Sequence, residues 1–196
     1  MLGWGRFSQA HSQPEANSLA RRGEIGAGGI LFPMASLPRA DLEKDLGVEP
    51  PMITQYSGEG RWDGVPVLPY KEDGTLFKSI TRQLLFPGAH DLPVELRYFE
   101  IGPEGHSTLE RHDHAHLVVV NRGAGRVLVR DAVFEIGLND VVQIPPLTWH
   151  QFRPLGGETF GFLCVVSAER DRPQRPSAAE LEMLQSVPEV AEFIRV

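Results

Sequence analysis

Four of the seven histidines fall within an eleven-residue window, as His106, His112, His114 and His116. The local string is Ser107-Thr-Leu-Glu-Arg-His-Asp-His-Ala-His116. Side chains on a strand alternate with period two, so an extended chain puts Glu110, His112, His114 and His116 on one face. Four ionisable groups on one face are unfavourable against apolar core. Either that face is solvent, or a cation holds it. Downstream, residues 139–152 read as a turn, a strand, a turn pinned by Pro145 and Pro146, and a strand opening at His150. At this separation from the cluster, His150 becomes the fourth corner of a site. His90 and His106 read as ordinary surface histidines, and His11 carries no signal.

Two further residues admit a chemical and a plain reading. Cys164, in Gly161-Phe-Leu-Cys-Val-Val166, is either a small buried hydrophobe or a thiol near the site that accepts sulfur once deprotonated. Phe162, Cys164 and Val166 share one strand face and Leu163 and Val165 the other. Both faces are apolar, so alternation does not say which lines a cavity. Arg97 shares a face with Phe99 and Ile101. Pointing inward it is a ready anion or phosphate ligand, and pointing outward it is a surface charge. The run Glu169-Arg-Asp-Arg172 reads as a solvated ion-pair turn.

These groups must be carried by short strands. From Trp62 onward, β-rich segments appear at 65–69, 76–86, 94–101, 117–120, 127–129, 132–136, 141–144, 150–153 and 160–167. With 20 Gly and 16 Pro supplying turns, this series argues for a sandwich or small barrel rather than a βαβ fold. Residues 1–60 are expected to be an N-terminal extension, partly irregular, with weak helical spacing only at 40–46. Residues 61–172 are expected to form the barrel with flanking strands, and 173–196 a helical tail opened by the capping box Ser177-Ala-Ala-Glu180.

Composition narrows the classes. Hydrophobic residues at 41% and charged residues at 23% exclude disorder for most of the chain. A net charge of −7 with no sustained Lys/Arg run argues against a phosphate backbone as partner. No apolar run approaches a membrane span, and the first residues lack the apolar region of a secretory signal. The single Cys cannot form an internal disulfide and fits a reducing compartment, so a cytoplasmic location is expected.

Across residues 93–168 the sequence resembles the cupin superfamily, whose fold is a double-stranded β-helix of jelly-roll type. The first cupin motif runs G-(x)5-H-x-H-(x)3-E-(x)6-G. Anchored on Gly123, it puts its two His positions at Glu110 and His112 and its Glu position at His116. The second, G-(x)5-P-x-G-(x)2-H-(x)3-N, falls on Asn139, Pro145, Leu147 and His150. The sequence departs from the pattern in several places. Glu110 stands where His is usual, His116 where Glu is usual, Glu104 where the first Gly is expected, and Pro154 where the last Asn is expected. Leu147 for Gly implies a different turn. The resemblance implies an all-β fold, a single cupin barrel with an N-terminal extension and a short C-terminal helix. It also implies a metal held by Glu110, His112, His116 and His150. The chain must then bend after the second ligand; if it bends elsewhere, His114 is the substitute. Imidazole with carboxylate suits Mn, Fe, Ni, Co or Zn.

A narrower resemblance covers roughly residues 60–196, carried by 107–116, 144–153, 161–164 and 170–174. It is to bacterial cupins of the 1-methylthioxylulose 5-phosphate methylsulfurylase type. It implies manganese, glutathione as co-substrate and release of methanethiol from a methylthio sugar phosphate, a step of methylthioadenosine metabolism. The leading expectation is therefore a metal-dependent enzyme with Cys164 or bound glutathione taking the sulfur and Arg97 binding substrate. A metal-dependent dioxygenase of a small organic substrate and a non-enzymatic small-molecule or metal-binding cupin are the alternatives. The expected partners are a small-molecule substrate and a second copy in a homodimer, with no nucleic acid and no membrane.

Overall fold

The structure, a computed structural model, describes residues 51–71 and 76–196; His11 and the stretch at 40–46 lie outside the described residues. The first strands, β1 (Tyr56–Gly58) and β2 (Arg61–Trp62), make a small hairpin. Next come β3 (Leu68–Pro69), β4 (Lys78–Phe86), β5 (Val94–His106), β6 (His116–Arg122) and β7 (Gly125–Val129). The series closes with β8 (Ala132–Ile136), β9 (Val141–Ile144), β10 (His150–Pro154) and β11 (Phe160–Ser167). One sheet has the order β3-β4-β5-β11-β6-β9 and the other β10-β7-β8, with every pairing antiparallel. The order is that of a jelly roll, because β11 returns from the end of the chain to lie between β5 and β6.

The core forms where the inward residues of the two sheets meet, with Phe99, Val118, Val127, Phe152, Phe160 and Phe162 buried among them. Phe152 and Phe162 stack across the sheets with ring centroids 4.5 Å apart. Burying such aromatic side chains supplies ~1.5–3 kcal/mol each, and this packing fixes the relative position of β10 and β11. Ser107 ties the sheets together at one end. Its N–H donates to the Phe152 carbonyl at 3.0 Å, and its hydroxyl accepts from the Phe152 N–H at 2.9 Å.

The tail is helical, as α1 (Ala178–Gln185) and α2 (Pro188–Phe193). The reciprocal Ser177–Glu180 capping box read from the sequence is present, and Pro188 opens the second helix. Leu184, Val190 and Phe193 pack with Leu128, which faces away from the first core. Buried Gln151 locks the tail down, donating to the Arg195 carbonyl and accepting from the Arg195 N–H, both at 2.8 Å. Among the described residues no helix is long and apolar enough to cross a membrane.

The structure redraws some local expectations. The strand expected at 65–69 shrinks to Leu68–Pro69, since Pro66 and Pro69 have no N–H for a ladder. The strand expected at 94–101 continues to His106, with Glu104 at a positive φ of 57°. The turn at Leu147 is not of a different kind. Leu147 itself adopts φ 56°, the left-handed conformation that glycine supplies at this motif position. Its N–H donates to the His112 carbonyl at 2.6 Å, so the turn is anchored by a contact to the histidine segment. Gly123 is not replaceable in this way. It has φ 63°, and an added Cβ would sit 2.3 Å from the Thr159 carbonyl oxygen.

Candidate functional site

Backbone hydrogen bonds place the cluster. Glu110 and His150 face each other across an antiparallel bridge, with N–H···O distances of 3.2 and 3.0 Å. His116 opens β6 opposite Ile144, at the end of β9 that leads into the Pro145-Pro146 turn. Between Glu110 and His116 the chain is not a regular strand. It bends at Asp113 and His114, and the one-face geometry of an extended strand gives way to rings gathered around His112. Ring centroids of His112 lie 4.6 Å from His114, 4.8 Å from His116 and 5.4 Å from His150.

The nitrogens of these rings are the chemical feature. His150 donates from Nδ1 to the Thr148 carbonyl at 2.9 Å, which leaves its Nε2 as a lone-pair donor. His112 is buried with neither ring nitrogen hydrogen-bonded, and Nε2 of His114 and of His116 is buried and equally without a partner. Orphaned buried nitrogens of this kind are costly unless something absent from the protein satisfies them. Two triples, Glu110–His112–His150 and His112–His114–His116, each have their donor atoms within 4.8 Å of one another. They share His112 and so form one cluster. Neutral imidazoles with one carboxylate are the donor set of a divalent transition metal, and the residues fit one.

Electrostatics keep His116, His150 and Glu110 in the ligating forms. Burial, helped by neighbouring His150, holds the His116 pKa down to about 2, and burial holds His150 at about 4. Burial pushes Glu110 up, but the His112 ring, whose Nε2 lies 3.4 Å from Oε1, and the Lys71 charge prevail and bring its carboxyl to about 2. Lys71 Nζ binds Glu110 Oε2, and the Tyr70 hydroxyl donates to Oε1 at 3.1 Å. The carboxylate is therefore aimed by two side chains.

A pH effect follows. Unfolded histidines take a proton below the ordinary value of 6.5, whereas folded His150 does so only near 4 and His116 lower still. The stability they contribute is complete above pH 6.5 and is lost as the pH falls from there towards 4. Glu110 adds a loss of the same sign only below 4.5. The unfolding free energy of metal-free protein, followed by its urea midpoint, is expected to drop between about pH 7 and about pH 5, by a few kcal/mol (~1.4 per pKa unit). A midpoint flat across that range would contradict neutral buried imidazoles.

Cys164 and Arg97 both point inward. They are cross-strand partners in the β11–β5 register, and Cys164 is also paired with Val118 of β6. Cys164 is 2% exposed, and its Sγ lies 3.6 Å from His116 Nδ1 and 3.7 Å from an Arg97 guanidinium nitrogen. Burial raises the thiol pKa, and the Arg97 charge opposes that rise. Arg97 stands over the Phe99 ring at 5.1 Å, and its Nε has no hydrogen-bond partner. Both residues line a cavity of about 380 Å³ together with Glu110, His112, His114, His116 and His150.

The structure brings Glu110, His112, His114, His116, His150, Cys164 and Arg97 to this one cavity. His106 is outside it, with Nδ1 on the Ser107 carbonyl. Sequence reasoning did not single out Tyr70 and Lys71. They precede the cluster by about forty residues and carried no local signal. Residues 169–172 are not simply a solvated turn. Arg170 pairs with buried Glu95 at 2.7 Å, and Asp171 Oδ1 accepts from His114 Nδ1 at 2.5 Å.

Comparison with known proteins agrees with this architecture. A cupin-domain family signature matches residues 97–166, which span β5 to β11. The chain is 52% identical over 145 residues to the 1-methylthio-D-xylulose 5-phosphate methylsulfurylase of Rhodospirillum rubrum, covering 74% of this chain and 90% of that protein. A crystal structure of a cupin 2 conserved barrel domain protein from Rhodopseudomonas palustris has TM-score 0.70 and 48% identity, covering 74% of this chain and 99% of the other. A cupin-2 domain structure from Rhodospirillum rubrum has TM-score 0.64 and 50% identity over 74% of this chain and 95% of its own. With two antiparallel sheets of jelly-roll order and relatives this similar over about three quarters of the chain, the chain belongs to the cupin family.

Proposed function

We propose that this chain releases methanethiol from 1-methylthioxylulose 5-phosphate, with glutathione as reductant and a divalent metal, manganese first among the candidates, at the histidine cluster. The observation that carries this reading is the 52% identity to a 1-methylthio-D-xylulose 5-phosphate methylsulfurylase over 90% of its length. The cavity supports it with a thiol, a guanidinium and a metal-type donor set side by side. Glu110, His112, His116 and His150 would hold the ion. When bound, it supplies Lewis-acid polarisation of the substrate's C2 carbonyl.

The protein's own groups account for the rest. Arg97 has no carboxylate partner among the described residues and offers free guanidinium hydrogens to an anionic substrate. Lys71 and Tyr70 hold the Glu110 carboxylate in place. The Cys164 thiolate attacks the thioether sulfur. The C1–S bond breaks with its electron pair going to C1, which takes a proton and becomes the methyl group of 1-deoxyxylulose 5-phosphate. The methylthio group remains on Cys164 as a mixed disulfide. A first glutathione thiolate attacks the methylthio sulfur and frees Cys164, and a second converts the resulting methyl glutathionyl disulfide to methanethiol and glutathione disulfide. The thioether is thereby reduced and two glutathione thiols are oxidised.

The test is to incubate Mn²⁺-loaded protein with 1-methylthioxylulose 5-phosphate and glutathione and to quantify methanethiol, 1-deoxyxylulose 5-phosphate and glutathione disulfide. Equal amounts of the three are expected. No methanethiol with Mn²⁺, Fe²⁺ or Co²⁺ would overturn the assignment, and oxygen uptake in its place would favour a dioxygenase.

A further inference from the structure

Among the clustered histidines, His114 alone has a carboxylate on its outer nitrogen. Asp171 Oδ1 accepts from His114 Nδ1 at 2.5 Å, and Asp171 Oδ2 accepts from the Asp113 N–H at 3.0 Å. The proton is thus fixed on Nδ1, and the lone pair on Nε2 faces the cavity, buried and without a partner. The His114 ring stacks on His116, with centroids 4.9 Å apart and planes 8° apart. Its donor atom lies within 4.8 Å of those of His112 and His116.

We infer that His114 is an additional ligand of the metal, and that Asp171 is its positioning residue, supplied by a strap that follows the barrel. Carboxylates that accept from the outer N–H of a ligating histidine fix its tautomer and orientation and strengthen it as a donor. Asp171 lies beyond the residues, 97–166, that match the family signature. The strap is held independently of the pair. Arg111 and Gln174 exchange backbone hydrogen bonds at 3.2 and 2.9 Å, and the Gln174 side chain joins Arg111 Nε to Asp113 Oδ1, each at 3.0 Å. The metal centre of this chain therefore extends past its barrel. Four imidazoles rather than three converge on the cavity beside Glu110, and the fourth depends on a residue nearly sixty positions away in sequence.

The inference rests on the proposal that the cluster holds a metal, and the experiment separates the two. Co²⁺ affinity is measured by chelator competition, and the visible cobalt spectrum is recorded, for wild type, His114→Ala, Asp171→Ala, Asp171→Asn, Gln174→Ala and the His114→Ala/Asp171→Ala double variant. Wild type is expected to bind one Co²⁺, and Asp171→Ala to bind it about 10–100-fold more weakly with a changed spectrum. Asp171→Asn keeps an acceptor oxygen and is expected to lose less. Gln174→Ala loosens the strap without touching the pair and is expected to match wild type in both readouts. The double variant is expected to be no weaker than His114→Ala alone, since Asp171 acts through His114. If wild type binds Co²⁺ but His114→Ala and Asp171→Ala keep its affinity and spectrum, this inference is overturned and the metal reading stands. It is equally overturned if Gln174→Ala costs as much as Asp171→Ala. If wild type binds no Co²⁺, the metal reading itself fails.

Discussion

Replacing His112 with alanine is expected to abolish metal retention and, with it, turnover. His112 belongs to both donor triples, so neither triple survives its loss. Outer partners of metal ligands are worth about 10–100-fold in affinity, and a ligand shared by the whole cluster is expected to exceed that. If the ion contributes several kcal/mol of charge stabilisation, turnover falls by roughly 10³-fold or more. The apo fold is expected to survive. Neither His112 ring nitrogen makes a well-formed hydrogen bond to protein, so alanine loses packing and the 3.4 Å contact of Nε2 with Glu110 Oε1. Elemental analysis of purified protein, beside circular dichroism, checks both halves. His106→Ala is the control, since its ring is turned to the Ser107 carbonyl, and it should keep metal and rate. Full metal content in His112→Ala would contradict the assignment of the cluster.

Cys164→Ser is the second large effect and is of a different kind, with fold and metal retained and methanethiol release lost. Serine is close in size, and its hydroxyl would find His116 and Arg97 where the thiol now sits 3.6 and 3.7 Å away. The cost in stability is accordingly about 1 kcal/mol, the ordinary size of a buried point substitution. The chemical cost is far larger, because a serine hydroxyl is not a thiolate and cannot form a disulfide. A fall of 10³-fold or more is the order expected when a nucleophile is removed. Mass spectrometry of wild type quenched during turnover should show the chain heavier by one methylthio group less a hydrogen, and the serine variant should show none. Unchanged turnover in Cys164→Ser would take the protein thiol out of the reaction and leave glutathione as the direct sulfur acceptor.

Much of the barrel was legible because its signals are local. Strands at 132–136, 141–144 and 160–167 coincide with those in the structure. Their ends are set by turn residues such as Gly137-Leu-Asn-Asp140, Pro145-Pro146 and Gly156-Gly157 and by apolar runs that need no distant partner to be recognised. The histidine cluster was legible because His and Glu recur at motif spacing, and the bend needed between Glu110 and His116 is there, at Asp113 and His114. Other features depend on pairing that no local pattern carries. Cys164 could lie on either of two apolar strand faces, and only the register against Arg97 and Val118 turns it inward. Leu147 read as a departure from glycine because its side chain was visible in the sequence, whereas its positive φ goes with the hydrogen bond from its N–H to the His112 carbonyl, a pairing that no local pattern carries. Asp171 looked like one charge among several at 169–172. Its role comes from the strap that carries it back across the barrel mouth to His114.

The most direct measurement is turnover as a function of metal occupancy. Chelator-treated protein is titrated with Mn²⁺, and methanethiol release from 1-methylthioxylulose 5-phosphate with excess glutathione is followed alongside bound metal per chain. One cluster built around His112 predicts no release without metal, a linear rise and a sharp end point at one ion per chain. Release at full rate from metal-free protein, or an occupancy of one ion with no release at all, would contradict it.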